Sequence, residues 1–567
     1  MLDANDKTPV ALWLAPTDSM SASEIEHFTW EILAEKYPEV REALERSGRG
    51  LDIEDSTLRV QVDREYAEIF NAKVNARVAP FMEALKQRGY TVEQISGMPS
   101  VIGIFPKHFI FEISNRNDIS MIYLLDNTIL PSLDIAVQNS QAPSVWAQGY
   151  SGEGVTIGIL EAQNVDPKNI YIHQSSTRRE GISDEPSSHA TLVAYCAVSN
   201  HPAYRGMAYS ATIMSAGHNG SSEDLVEALV WIFDQNVYVV NHSEIQGPVG
   251  DTVEFMDRAF DYWIRFRYRM VTQGAGNSGN SIGSPGKGWN LLTVGAYNDQ
   301  NNLLWHDDTM ADFSSYVNPT SEHGDREKPE VVAPGVNLTL ALDPNMPPEP
   351  SGGTSLASPQ TAGLAALLLN RNLFLPAWPE ASRAIIMASA THNIEGPLVI
   401  ETDIGDLKDG AGAINAYLGD KIAQRRGFSD ESCDSSCWWV DTISNSSLPT
   451  QSEKNYYFTV NERSLVRIAV AWTSNADNST NNYAMDRLDT DLDMVVRRTS
   501  PNFSLVGSSR SFDNSYEMVS FIAEEPGEYE IGIYKRRGDE EYNTIGVALL
   551  IVELPFRSYA PLIMGRE

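Results

Sequence analysis

The spacing of apolar positions changes character twice along the chain, and each change marks a region of different architecture. In the first 140 residues, a short apolar run over 10–15 ends at Pro16 and predicts a strand. Ser23 with Glu26 has the spacing of a capping box and opens a helix over about 25–44. Val74, Val78, Phe81 and Leu85 keep a helical stripe up to Gly89, with Pro80 as a kink or restart. Residues 90–95 and 101–105 read as strands around a Gly-Met-Pro turn, followed by a short helix over 109–114 and a strand over 121–125. Strand, helix, two strands, helix, strand is the order of a ferredoxin-like α+β module.

From about 141 to 425 the strands become continuous apolar runs, as in a sheet buried on both faces. Residues 155–160 lead to Glu161, residues 237–241 to Ser243, and residues 270–272 to a glycine-rich turn. A long apolar helix opens near Ser355 and runs through Ala365, Leu368 and Leu369, with Pro359 near its first turn. This predicts an α/β domain with a mainly parallel sheet. Beyond about 426 the period becomes two: Val466, Ile468, Val470 and Trp472 alternate, as do Leu492, Met494 and Val496. With further strands over 517–522, 528–534 and 545–552, residues 426–567 read as an all-β sandwich.

A length of 567 residues agrees with several cores rather than one. Asp and Glu number 76 against 42 Lys and Arg, a net charge of -34, which repels phosphate backbones and excludes nucleic acid as an expected partner. No stretch approaches the ~18 consecutive apolar residues of a membrane span. Residues 1–7 carry no basic segment followed by an apolar one, so no signal peptide is visible. Of the three cysteines, Cys196 sits in an apolar run and reads as a core thiol. Cys433 and Cys437 are compatible with a small disulfide or with two separate thiols.

Four residues carry candidate chemistry, and each has a plainer reading. Glu161 closes a buried strand, where open α/β sheets place their reacting groups, but a strand-end acid is commonly structural. His189 starts an apolar helix, where a capping or core role is the ordinary one. Asn277 lies between glycines that would let a ligand approach, or that simply make a turn. Ser355 stands at a helix N-terminus, where free N–H groups and the helix dipole favour a developing oxyanion, though an N-cap serine would look the same.

Taken in order, Glu161, His189, Asn277 and Ser355 give the chain a resemblance to the subtilisin-like serine proteases. The matching stretches are Ser187-Ser188-His189-Ala190-Thr191-Leu192-Val193-Ala194, Gly274-Ala275-Gly276-Asn277 and Gly353-Thr354-Ser355-Leu356-Ala357-Ser358-Pro359, supported by Lys328-Pro329-Glu330-Val331-Val332-Ala333-Pro334-Gly335. The resemblance covers about half of the chain and departs from the pattern at three places: glutamate for aspartate at Glu161, alanine for glycine at Ala190, and leucine for the second histidine at Leu192.

The resemblance implies a serine endopeptidase of proteins and peptides. Ser355 would attack the scissile carbonyl, His189 would take its proton, Glu161 would orient His189, and Asn277 with the Ser355 N–H would hold the oxyanion. Asp166 is the alternative acid. Ser243-Glu244-Ile245 and Gly274-Ala275-Gly276 would flank an extended peptide, with Glu244 either favouring basic side chains or facing solvent.

Residues 1–140 would then be a prodomain, cut between about 134 and 149, where 138–143 reads as polar and exposed, with a permanently attached domain as the alternative. No cofactor is required for the chemistry. A structural calcium ion is one reading of Asp489, Asp491 and Asp493, and a solvated acidic face is the other. The expected location is extracellular. Two rival functions follow from other features: a peptide-binding pseudoenzyme, from the altered positions, and an adhesin, from the sandwich.

Overall fold

The computed structural model describes the chain apart from residues 1–6, 16–19, 21, 48–49, 51–52, 54, 95–98, 115, 125–131, 184, 246–250, 343–348, 395–407, 445–451, 477–486, 539–541 and 555–567. Two compact units are present, Met1–Ile129 and Leu130–Glu567.

In the first unit the strands Lys7–Leu14, Val92–Glu93, Ser100–Pro106 and Ile119–Leu124 pair antiparallel, in the sheet order second, third, first, fourth. Helices fill both crossovers, so the arrangement is the ferredoxin-like one expected. The helix expected over 25–44 is two, Ala22–Lys36 and Pro38–Ser47, because Pro38 has no N–H with which to continue the first. The second helix reaches back to Ser56 and contains Pro80. Leu12, Val78, Leu85, Val101, Phe105 and Phe109 form the core.

The larger unit is built on a seven-stranded sheet. From edge to edge run Thr309–Met310, Leu292–Asn298, Met270–Gly274, Val239–His242, Thr156–Ala162 and Thr212–His218, while Val331–Pro334 pairs with Leu292–Asn298. Every pairing except that of Thr309–Met310 is parallel. The chain lays Thr212–His218 on one side of Thr156–Ala162 and then Val239–His242 on the other. The strand order therefore reverses at Thr156–Ala162, and the crevice forms beyond the carboxyl end of that strand, where Glu161 stands. Helix Thr354–Arg371, buried from Thr354 to Leu369, packs against Ser188–Val198 and the central strands. Pro359 is its sixth residue, past the first turn, so the Ser355 carbonyl has no amide proton to accept from position 359.

One sequence expectation changes here. Residues 138–143 are not exposed: Asn139, Ser140 and Ala142 are buried, and the Ser140 carbonyl accepts the Ala416 N–H at 2.7 Å. The C-terminal strands form two four-stranded sheets. These are Cys437–Ser444, Tyr542–Glu553, Ser464–Trp472, Tyr516–Ala523 and Glu453–Val460, Gly527–Gly538, Thr490–Ser500, Ser504–Ser509, each in that spatial order.

Along Ser464–Trp472, Val466, Ile468, Val470 and Trp472 enter the core between the sheets, whereas Ala469 and Ala471 join the core of the α/β part. Strand Tyr542–Glu553 divides likewise, with Val547 and Leu549 to one core and Ala548 and Leu550 to the other. Helix Pro379–Ser389, buried on all sides, lies against these strands, and a Cβ added to Gly546 would stand 2.2 Å from the Ala381 nitrogen.

Cys433 and Cys437 are bridged, and Cys196 is a buried free thiol. Asp489, Asp491 and Asp493 share a buried face rather than a solvated one, with Asp493 paired to Arg536.

Candidate active site

Helix Thr354–Arg371 starts after Gly353, whose φ of +141° lies where side chains are rarely tolerated. A Cβ at that position would lie 3.0 Å from Ser355 Oγ and 3.2 Å from Asn277 Nδ2, so the glycine keeps open the space beside both groups. Ser355 is the second helical residue and is 9% exposed. The first N–H groups of a helix have no intrahelical acceptor, so this end offers donors and the positive pole of the dipole.

Asn277 is oriented by its neighbour in that first turn. Its Oδ1 accepts the Thr354 N–H at 2.9 Å and the Thr354 hydroxyl at 3.1 Å, while Thr354 Oγ1 accepts the Gly276 N–H at 3.1 Å. With the oxygen engaged, the amide nitrogen is the end that faces the space beside Ser355. Beneath the site, Asn241 Oδ1 accepts the Ser358 and Thr272 hydroxyls at 2.8 and 3.1 Å, and Asn241 Nδ2 donates to Ser243 Oγ at 2.8 Å. That buried network ties the helix that carries Ser355 to two central strands.

Glu161 is fully buried. Its Oε1 accepts the Ser243 N–H at 2.7 Å, and its Oε2 stands 3.2 Å from His189 Nδ1. Burial pushes the Glu161 carboxyl above its ordinary value, opposed by the nearby His189 ring. Burial pulls the His189 ring down, but the adjacent Glu161 carboxylate, with the charge of Glu244, outweighs it and leaves the ring raised. His189 begins helix Ser188–Val198, capped by Ser187, whose hydroxyl accepts the Ala190 N–H at 3.1 Å. The alternative acid, Asp166, accepts the Lys168 N–H at 2.9 Å in its own turn.

A cleft of about 420 Å³ is lined by His189, Ser243, Glu244, Gly276, Asn277 and Ser355, with Ile245 on the same wall. Gly274 and Ala275 lie behind it. The Ala275 N–H donates to the Val294 carbonyl at 3.0 Å, and the Gly274 and Gly276 carbonyls accept from Gln273 Nε2 at 2.9 Å and the Ser315 N–H at 2.9 Å. These backbone groups are engaged inside the fold.

Glu244 departs most from its sequence reading. Instead of facing solvent, its Oε2 accepts the Ala162 N–H at 3.0 Å and stands 2.9 Å from Nε2 of the buried His218. A second buried histidine, His242, holds Gln273 Oε1 through Nδ1 at 2.6 Å, and Gln273 Nε2 donates to the Glu244 and Gly274 carbonyls. Because the amide nitrogen makes those donations, Gln273 Oε1 is an acceptor and His242 Nδ1 carries a proton. Burial pushes His242 down to about 4, so the ring is neutral. His218, His242 and Thr354 were not singled out from the sequence. His242 directly precedes Ser243, and His218 ends a strand at the crevice, which are the signals that could have found them.

Among the described residues, two groups of three gather donor atoms within 4.8 Å: Glu161, His189 and Glu244, and His218, His242 and Glu244. The second does not suit a cation. His218 Nδ1 accepts the Gly220 N–H at 3.1 Å, so the proton of the neutral ring is on Nε2, where a metal would need a lone pair. The aspartates at 489, 491 and 493 form no such group among the described residues.

The model of the subtilase family matches residues 102–418. Serine protease AprX of Bacillus subtilis is 29% identical over 311 residues, covering 46% of this chain and 67% of its own length. Subtilisin DY of Bacillus licheniformis is 30% identical over 249 residues, 41% of this chain and 82% of its own. Among solved structures, the epidermin leader peptide processing serine protease of Staphylococcus aureus is similar at a TM-score of 0.41 and 16% identity, over 62% of this chain and 97% of that one. Among the described residues no helix is long and apolar enough to cross a membrane.

Proposed function

The chain belongs to the subtilase family and is a serine-type endopeptidase, and on that premise we propose that Ser355, His189, Glu161 and Asn277 carry the reaction. Ser355 Oγ attacks the scissile carbonyl as His189 takes its proton. The same proton then goes to the leaving amine, and a water molecule releases the acyl group by the reverse roles. Glu161 holds the ring by Nδ1, which leaves Nε2 for the serine. The Asn277 amide and the N–H at the start of the helix receive the oxyanion. What supports this reading most is the 3.2 Å approach of Glu161 to His189 on a cleft that Ser355 and Asn277 also line. The extra methylene of glutamate is accommodated with the carboxylate still facing the ring.

Substrates are proteins and peptides, laid extended along Ser243-Glu244-Ile245. The N-terminal ferredoxin-like unit serves as a prodomain and the enzyme works outside the cell, both carried over from the family resemblance. The route itself uses no cofactor. A fluorophosphonate probe and a casein digest test it on wild type and Ser355→Ala after limited proteolysis of the N-terminal unit. Label and digestion confined to wild type are expected. An unlabelled, inactive wild type would make the chain a peptide-binding pseudoenzyme, and a labelled Ser355→Ala would move the nucleophile elsewhere.

A further inference from the structure

A histidine oriented by one buried acid needs no second carboxylate, yet one is built in behind the first. The donor atoms of Glu161, His189 and Glu244 all lie within 4.8 Å of one another. Glu244 does not sit there as a loose surface acid. The Ala162 N–H, one residue from Glu161, donates to its Oε2 at 3.0 Å. His218, fully buried, brings its Nε2 to 2.9 Å from the same oxygen. The Glu244 carbonyl is fixed in turn by Gln273, which His242 holds. Two strand ends thus meet the side chain of this residue and a third fixes its backbone.

The geometry points to Glu244 as a second acid of the site, a positioning residue that shares with Glu161 the task of orienting His189 and stabilising its imidazolium, with His218 as its buried support. The inference rests on His189 and Ser355 acting as base and nucleophile. Its electrostatics agree in direction. His189 faces Glu161 from one strand and Glu244 from the next, and both carboxylates favour the charged ring. Glu244 itself is held below its ordinary value against its burial, by the adjacent His218 and the Ala162 N–H. Asp224, paired with Arg179, is the further charge near His218. Since Glu161 is wholly buried and Glu244 is partly open to the cleft, the second anion maintains charge beside the ring where burial makes the first reluctant to ionise.

The test is the pH dependence of kcat/KM for a peptide amide with wild type, Glu244→Gln and Glu244→Asp. Removing an anion from beside His189 favours the neutral ring. The acid limb of Glu244→Gln should move down by roughly one pH unit, with plateau turnover falling about tenfold, and Glu244→Asp should recover part of both. A merely structural residue would lower turnover without moving the limb, so an unmoved limb overturns the proposal. Should Glu244→Gln not fold, Glu244→Leu combined with His218→Phe removes acceptor and donor together and gives the same reading. His189→Ala and Ser355→Ala are run alongside. If they keep turnover the triad reading fails, whereas if they are inactive and the Glu244 limb is unmoved, only the second acid fails. Activity lost to a chelator and restored by Zn²⁺ in wild type but not in Glu244→Gln would make the cluster a cation site and also overturn it.

Discussion

The buried carboxylate of Glu161 takes the backbone N–H of Ser243 on one oxygen at 2.7 Å, which fixes it to the neighbouring strand and turns its other oxygen to His189. Replacing Glu161 by glutamine keeps a carbonyl for Ser243 but loses the charge that stabilises the imidazolium. By analogy with loss of the acid in a well-studied triad, turnover should fall about 10⁴-fold while the melting temperature stays near that of wild type. Activity within tenfold of wild type would remove Glu161 from the triad and bring Asp166 forward.

Thr354 fixes Asn277 through its N–H and its hydroxyl, and that makes two mutants informative together. Asn277→Ala should cost about 10² to 10³ in kcat, the usual effect of losing one oxyanion donor, with KM little changed. Thr354→Val keeps the N–H contact but loses the hydroxyl that holds both Asn277 Oδ1 and the Gly276 N–H. A smaller loss, about tenfold, is expected from it. If Asn277→Ala keeps kcat within twofold, the oxyanion is held by other donors.

The four candidate residues stood out near strand ends and helix starts, but each had a plainer reading there, and only the family resemblance joined them into one proposed site. What surrounds them was not legible. Thr212–His218 carries Ser215 and Gly217 within seven residues, which blurs its strand signal and hides His218. The orientation of Glu244 depends on that histidine and could not be read without it. The ferredoxin-like module was legible from element order alone, and the sandwich from its period of two. That the sandwich shares a core with the α/β part was not, because alternation tells that a strand has two faces but not what covers the second. Ala469 and Ala548 look like solvent-side positions until helix Pro379–Ser389 is seen packed on their strands. Removing residues 440–567 would therefore uncover the peptidase core, so such a deletion does not separate binding by the sandwich from catalysis.

Asp491 is 1% exposed, and burial beside Asp493 raises its carboxyl from 3.8 to about 7. A raised acid binds its proton in the folded state but not in the unfolded one between pH 4 and 7, so stability falls as pH rises through that window and levels off above it. Asp491→Asn carries no such charge. It should match wild type near pH 4 and exceed it at pH 8 by up to about 4 kcal/mol, measured by denaturant unfolding. Equal stabilities at pH 8 would contradict this. So would a calcium-dependent gain in wild type that the variant lacks, since a bound ion would then be what offsets the buried charge.

The last prediction concerns where the N-terminal unit is severed. Compactness divides the chain at Ile129 and Leu130, but the sequence alone suggested a cut between about 134 and 149. Ile135, Ala136 and Val137 are buried, Ala136 and Val137 within the core of the larger unit, and Ser140 is bonded through its carbonyl to Ala416. A protease acting at 138–143 would have to extract helix Ser132–Asn139 from that packing, and a product starting there would lack its apolar side chains. Limited cleavage favours segments with few buried contacts, so the mature chain should begin upstream of Ile135. Intact mass and N-terminal sequencing of wild type beside Ser355→Ala decide the matter. Loss of fewer than 135 residues by wild type alone is the expected result and also identifies the cut as self-made. A stable, active product beginning at or beyond Asn139 would mean that this helix leaves the core on activation, and a boundary upstream of Ile135 would be wrong.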